Sequence, residues 1–143
     1  MHRRDEFLSM VKARSSAIII YFTSPTDCIH CKTISPIVTQ YFEQLSSRYA
    51  TDVRCLYADV KNADNLDVYN FLKSKRIVTG AIPVLLFYSQ TSENDINHAY
   101  IPEDSHTGGS SSDTIAFFTR VEQNLMEHAT TQRHENSSSL VDF

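Results

Sequence analysis

The stretch AIIIYFTSPTDCIHCKTISP, residues 17–36, decides how the rest of the chain is read. Its first part, Ala17 to Phe22, is an unbroken β-branched and aromatic run, as expected for a strand covered on both faces. A short polar turn then leads to Cys28 and Cys31, with Ile29 and His30 between them. From Cys28 to Arg48, apolar residues recur at Ile34, Ile37, Val38, Tyr41, Phe42 and Leu45, a helical spacing. Pro36 lies inside that pattern and is expected to bend the helix, because it has no N–H to bond one turn back. The cysteine pair therefore sits where a buried strand ends and a helix begins.

Outward from this stretch the chain alternates. Residues 5–14 read as a leading helix with Phe7, Leu8 and Val11 on one side. Beyond the cysteine helix come a second buried strand, VRCLYADV (53–60), and a helix, NLDVYNFLKSKR (65–76), with Leu66, Tyr69 and Leu72 inward. A third strand, PVLLFYSQ (83–90), is followed by the polar turn TSEND and a weaker fourth strand, INHAYIP (96–102). The segment EDSHTGGSSSD (103–113) reads as a flexible loop. A last amphipathic helix spans about Thr114 to His128, with Ser112 or Asp113 as N-cap and Ile115, Phe118, Val121 and Leu125 on its apolar side. The end, ATTQRHENSSSLVDF (129–143), has too little apolar surface to order itself and reads as a polar, flexible tail. Strand–helix–strand implies a parallel pair with a right-handed crossover, and the two later strands imply a hairpin. The class is α/β, with helices on a mixed sheet.

The chain's 143 residues suffice for one domain with its own core. A net charge of −4 argues against nucleic acid or an anionic membrane as the main partner. The small basic clusters, Arg3-Arg4 and Lys73-Lys75-Arg76, read as solvated helix surface. No apolar run approaches the roughly 20 residues that span a bilayer. Asp5 and Glu6 stand where a signal peptide would be apolar, so a cytoplasmic protein is expected.

Cys28-Ile29-His30-Cys31 admits three readings. Structural zinc needs four ligands. Here one pair stands with Cys55 in a core strand and with the dispersed His98, His106, His128 and His134, so a second chain would have to complete a site. A purely structural disulfide closing so small a loop removes little chain entropy. Thiol–disulfide exchange fits the surroundings better. A helix N-terminus carries unpaired N–H groups and partial positive charge, which stabilise a thiolate, and a second thiol one turn further in can attack a mixed disulfide on the first.

With AIIIYF, CIHCK, Pro36 five residues after the second cysteine, and GAIPVLLF, the chain resembles the thioredoxin-fold proteins from Ala17 to Pro83, and more loosely to the last helix. The resemblance implies a three-layer sandwich with a mixed sheet of four to five strands flanked by helices. The domain would occupy residues 1–128, with 1–15 as the leading helix. It implies that Ile82–Pro83 is cis and packs beside the cysteines, that Cys28 is the exposed nucleophile and Cys31 the resolving thiol, and that Pro36 is structural. Substrate would be held by the Ile82 backbone, Pro83, Ile29 and Asp27. Pro83 would also deny the site a metal-ligand position, so neither metal nor cofactor is expected. The implied function is a thiol–disulfide oxidoreductase acting as a monomer on protein thiols and disulfides, recycled by an unidentified reductase or oxidase. Two alternatives stay open: a non-catalytic adaptor of the same fold, and a glutaredoxin-like, glutathione-dependent reductase. Against the latter, the only Gly-Gly pair lies far downstream of Pro83.

Departures from the family pattern matter as much. Ile29-His30 replaces the thioredoxin Gly-Pro, Asp27 stands where a Trp is usual, and the histidine resembles protein disulfide isomerases. His30 would stabilise the Cys28 thiolate and make the disulfide more oxidising by about 30–90 mV, while Asp27 would oppose it. The buried acid of thioredoxins is replaced by Tyr21 or Phe22, depending on where a one-residue insertion falls, and its lysine partner by Cys55, read as a core residue.

Overall fold

The computed structural model describes residues 3–92 and 94–141, with side chains described as far as residue 130. The elements follow in the order α1 (Arg4–Ala13), β1 (Ala17–Thr23), α2 (Ile29–Tyr49), β2 (Val53–Asp59), α3 (Ala63–Ser74), β3 (Val84–Tyr88), β4 (Asp104–Thr107) and α4 (Ser111–Val141), with 3-10 turns at Ala50–Asp52 and Ile96–His98. The described sheet has four strands in the order β2-β1-β3-β4. β1 runs parallel to β2 and antiparallel to β3, and β3 runs antiparallel to β4.

Why β1 shows no polar alternation is visible in its two faces. Ile18, Ile20 and Phe22 join Phe7 and Val11 of α1 and Val68, Tyr69 and Leu72 of α3 on one side. Ala17, Ile19 and Tyr21 face Ile34, Val38 and Phe42 of α2 and Phe117, Phe118 and Val121 of α4 on the other. The strand's seven residues are all buried, and each large apolar side chain so covered contributes about 1.5–3 kcal/mol. Helices α1 and α3 on one face and α2 and α4 on the other make the three-layer α/β sandwich.

Four expectations need correction. The segment 96–102 is not a strand: Asp95 caps a 3-10 turn by accepting from the N–H groups of Asn97 (3.0 Å) and His98 (3.1 Å). Ile96 stays exposed, while Ala99 is buried and Tyr100 lies edge-on to Phe71 at 5.6 Å. The fourth strand lies instead in the presumed flexible loop, as Asp104–Thr107. Backbone pairing to β3 makes it a strand, and the fork of Arg120 on Asp104 (2.7 and 3.1 Å) ties it to α4. Leu66 and Ile115 are exposed, whereas Val68, Phe71 and Phe117 are buried, because each helix is rotated from the face the apolar spacing suggested.

Helix α4 starts earlier and ends later than expected. Ser110 caps it, its Oγ accepting from the N–H of Asp113 at 3.2 Å. Its backbone continues to Val141 through most of the expected tail, a stretch containing neither Pro nor Gly to stop it. Residues 142 and 143 of that tail lie outside the described residues. Arg3 and Arg4 do more than solvate α1: they approach Asp64 (3.6 Å) and Asp67 (3.5 Å) of α3.

Candidate functional site

At the C-terminal end of β1 the chain turns through Ser24 to Asp27, where Asp27 takes a left-handed φ of 60°, and enters α2. Cys28 is the N-cap of α2, in extended conformation, and its Sγ accepts from the N–H of Cys31 at 3.2 Å. The two cysteines form a disulfide with their Cα atoms 5.2 Å apart. Cys28 is half-buried and Cys31 buried, while Ile29 stands out beside them with 79% of its surface exposed. The sulfur of Cys28 thus lies at the helix N-terminus, where the backbone field favours negative charge.

The Ile82–Pro83 peptide bond is cis. Phe22 pairs with Val84 across β1 and β3, so Pro83 falls at the same sheet end as the turn into Cys28. The Tyr69 hydroxyl donates to the Ala81 carbonyl at 2.8 Å and pins the approach to that bond. On the other side, the N–H of Gly108 donates to the Pro83 carbonyl at 3.0 Å. The next residue, Gly109, lies directly against the His30 side chain. The segment after β4 therefore reaches the cysteine end of the molecule, which sequence did not settle. The Gly-Gly pair, distant from Pro83 along the chain, is its neighbour in space, so that argument against a glutathione-dependent reductase falls away.

Asp27 lies at the rim, 90% of its side chain exposed and 3.3 Å from Nζ of Lys61, which also donates to Thr26. Lys61 follows β2, and its N–H donates to Asp59 at 2.9 Å, which fixes the turn carrying it. The cation offsets part of the field that Asp27 would otherwise exert at Cys28. Sequence reading missed Lys61 because the pair joins residues on two separate loops. Pro36 is exposed further along α2, which runs through it as one helix.

Beneath the disulfide, the pleat of β1 settles which residue replaces the buried acid. Tyr21 faces α2, and its hydroxyl lies 2.9 Å from Ser35 Oγ and donates to the Cys31 carbonyl at 3.4 Å. Phe22 points to the opposite layer, edge-on to Tyr69 at 5.3 Å. Across the parallel register Tyr21 meets Tyr57, while Cys55 pairs with Ile19, deeper in the sheet. The residue opposite Tyr21 is therefore Tyr57 and not Cys55. Tyr57 lies edge-on to Tyr21 at 6.0 Å, and its hydroxyl donates to Thr39 at 2.9 Å. Burial pushes the Cys55 thiol up to about 11, a hydrogen bond with Ser46 offsetting part of the rise, so at neutral pH it is an uncharged side chain. No group of three or more His, Cys, Asp or Glu side chains among the described residues is placed to hold a metal ion.

The fold that carries this site is similar to that of solved structures. A thioredoxin of Malassezia sympodialis superposes with a TM-score of 0.54 at 21% identity, over 84% of this chain and 88% of that one. The chain has the thioredoxin fold. Oxidised thioredoxin O2 of Arabidopsis thaliana matches with a TM-score of 0.54 at 22% identity, over 84% of this chain and 90% of its own. Oxidised mitochondrial thioredoxin 3 of Saccharomyces cerevisiae gives 0.56 at 17% identity, over 84% and 92%. No family model and no curated protein sequence matches the chain. No described helix is long and apolar enough to cross a membrane.

Proposed function

We propose that the protein is a thiol–disulfide oxidoreductase that exchanges the Cys28–Cys31 pair with disulfides and thiols of other proteins. The observation that carries this reading is the position of Cys28 as N-cap of α2, joined to a buried Cys31 one turn in. In the reducing direction, the Cys28 thiolate attacks one sulfur of a substrate disulfide. An S–S bond forms between them, the substrate bond breaks, and its other sulfur leaves as a thiolate. Cys31 then loses its proton and attacks Cys28 Sγ, which releases the second substrate thiolate and closes the disulfide. Two electrons pass to the substrate, and the two leaving thiolates take up protons from solvent. The oxidising direction is the reverse.

Cys28 serves as nucleophile and Cys31 as resolving group, while His30 stabilises the thiolate. Ile29, Ile82, cis Pro83 and Asp27 form the surface that receives an extended substrate segment, whose backbone would pair with Ile82. Among the described residues no acid lies beneath Cys31: the Tyr21 hydroxyl and Ser35 are the polar groups there. Proton removal from Cys31 then falls to solvent or to the departing substrate thiolate.

A second reading, a glutathione-dependent reductase, has one observation in its favour: Gly108 and Gly109 lie against Pro83 and His30. Trapping separates the possibilities. Cys31→Ser should accumulate mixed disulfides with protein substrates, and Cys28→Ser should accumulate none. Trapping of glutathione alone would favour the second reading. If neither variant traps a partner and both retain cellular function, the protein is a non-catalytic adaptor.

A further inference from the structure

We propose that Gly109 is a positioning residue for His30: the Gly108–Gly109 turn clasps the imidazole and fixes where it stands at the Cys28–Cys31 site. This deepens the redox reading above and rests on it. The two glycines are required for different reasons. Gly108 has φ +109°, a backbone conformation that side chains disfavour, and open space where a Cβ would go. At Gly109 the constraint is space: a Cβ would lie 2.8 Å from both Cβ and Nδ1 of His30 and 3.0 Å from Cγ. Rotation about χ1 could swing the ring aside but would leave the His30 Cβ, which is fixed to the first turn of α2.

Nor is the turn free to retreat. On one side the N–H of Gly108 is bonded to the Pro83 carbonyl at 3.0 Å. On the other, Ser110 immediately caps α4, its carbonyl accepting from the N–H of Thr114 at 3.0 Å. Thr114 is wholly buried and donates back to the Ser110 carbonyl at 2.7 Å, so the start of α4 is itself anchored. Among the described residues the His30 side chain makes no hydrogen bond. Contact with the turn, not a polar partner, sets the ring's place in the disulfide form. Since a charged or hydrogen-bonding imidazole stabilises a thiolate only at short range, shifting the ring changes how strongly the reduced pair is favoured.

The test is a cycle of glutathione redox equilibria on the wild type, Gly109→Ala, His30→Gly and the double variant. Glycine is used at position 30 because an alanine would keep the colliding Cβ. His30→Gly should make the disulfide about tenfold harder to reduce, which is about 30 mV for a two-electron couple. Gly109→Ala alone should move the equilibrium the same way by threefold or more, and should add less than twofold once His30 is gone. A Gly109→Ala protein that keeps the wild-type equilibrium overturns the proposal, as does a full shift that persists without His30. If Gly109→Ala is too unstable to assay, recovery of its melting temperature in the double variant supports the contact, and no recovery overturns it. A wild type without any reversible couple is a different failure, that of the redox reading itself.

Discussion

At the end of the sheet where β1 begins, the fold buries an ion pair and surrounds it; at the end where β1 runs into Cys28, it buries no charged side chain among the described residues. Arg14, its side chain only 4% exposed, meets Glu103 at 2.6 Å and donates to the carbonyls of Val11 (2.9 Å), Ser89 (3.2 Å) and Ala99 (2.5 Å). The second oxygen of Glu103 accepts from the N–H of Ser89 at 3.2 Å, and the guanidinium lies 5.2 Å from the centre of the Tyr88 ring. Burial lifts the Tyr88 phenol well above its ordinary range, with Arg14 pulling it back. At the cysteine end, Tyr21 and Tyr57 occupy the sheet beneath the disulfide, joined only to hydroxyls and a carbonyl. One end is held by an ion pair that ties α1 to the loop after β3. The other has its charged groups, Asp27, Lys61 and Asp59, at the rim and no buried ion pair among the described residues, so a thiolate formed on Cys28 would meet the helix terminus without a buried carboxylate beside it.

The largest expected effect breaks the charged end. Glu103→Ala leaves Arg14 buried without its counter-ion and should cost about 3–5 kcal/mol, read as a fall in the urea midpoint. Replacing both partners by apolar residues, Arg14→Met with Glu103→Leu, should recover most of that loss. A single Glu103→Ala variant as stable as the wild type would mean that the three carbonyls suffice for Arg14.

Midway between the ends, Cys55 gives a smaller and pH-dependent effect. Its folded pKa of about 11 lies above the thiol's ordinary value of 9.0, so the folded state holds the proton more tightly. That stability is complete below pH 9 and lost as pH rises through 11, by up to about 3 kcal/mol at about 1.4 kcal/mol per pKa unit. Urea titrations between those limits should show a steeper alkaline decline for the wild type than for Cys55→Val. Parallel declines would mean that the thiol is not protected.

The smallest effect is at the cysteine end. Tyr21→Phe removes two hydroxyl contacts without stranding a charge, so about 1 kcal/mol of stability is at stake. A loss as large as that of Glu103→Ala would show that the hydroxyl does at this end what the ion pair does at the other.

Much of this architecture was legible because periodicity and punctuation carry it. β1 betrays double-sided burial by its unbroken run, and the cysteine motif follows at a helix start. The misses have physical causes. Asp104–Thr107 is a polar edge strand whose identity comes from its ladder with β3 and not from its composition. Residues 96–102 look strand-like because Ala99 and Tyr100 are covered by α1, α3 and the Arg14 guanidinium, which hydropathy does not distinguish from a sheet. The choice between Tyr21 and Phe22 turns on a one-residue register that reverses strand faces. The contact of Gly109 with His30, and that of Lys61 with Asp27, join segments remote in sequence and leave no local pattern; a Gly-Gly pair just before a capped helix was the one available hint.

The most direct test of the central claim is the equilibrium of the Cys28–Cys31 pair across a series of glutathione redox buffers, with the two thiols counted by alkylation. The account predicts one reversible two-electron transition with a potential between about −270 and −180 mV, the values of thioredoxin and protein disulfide isomerase, and a lower potential when His30 is replaced. Thiols that stay reduced across the whole series, or a transition that His30→Gly leaves in place, would contradict it.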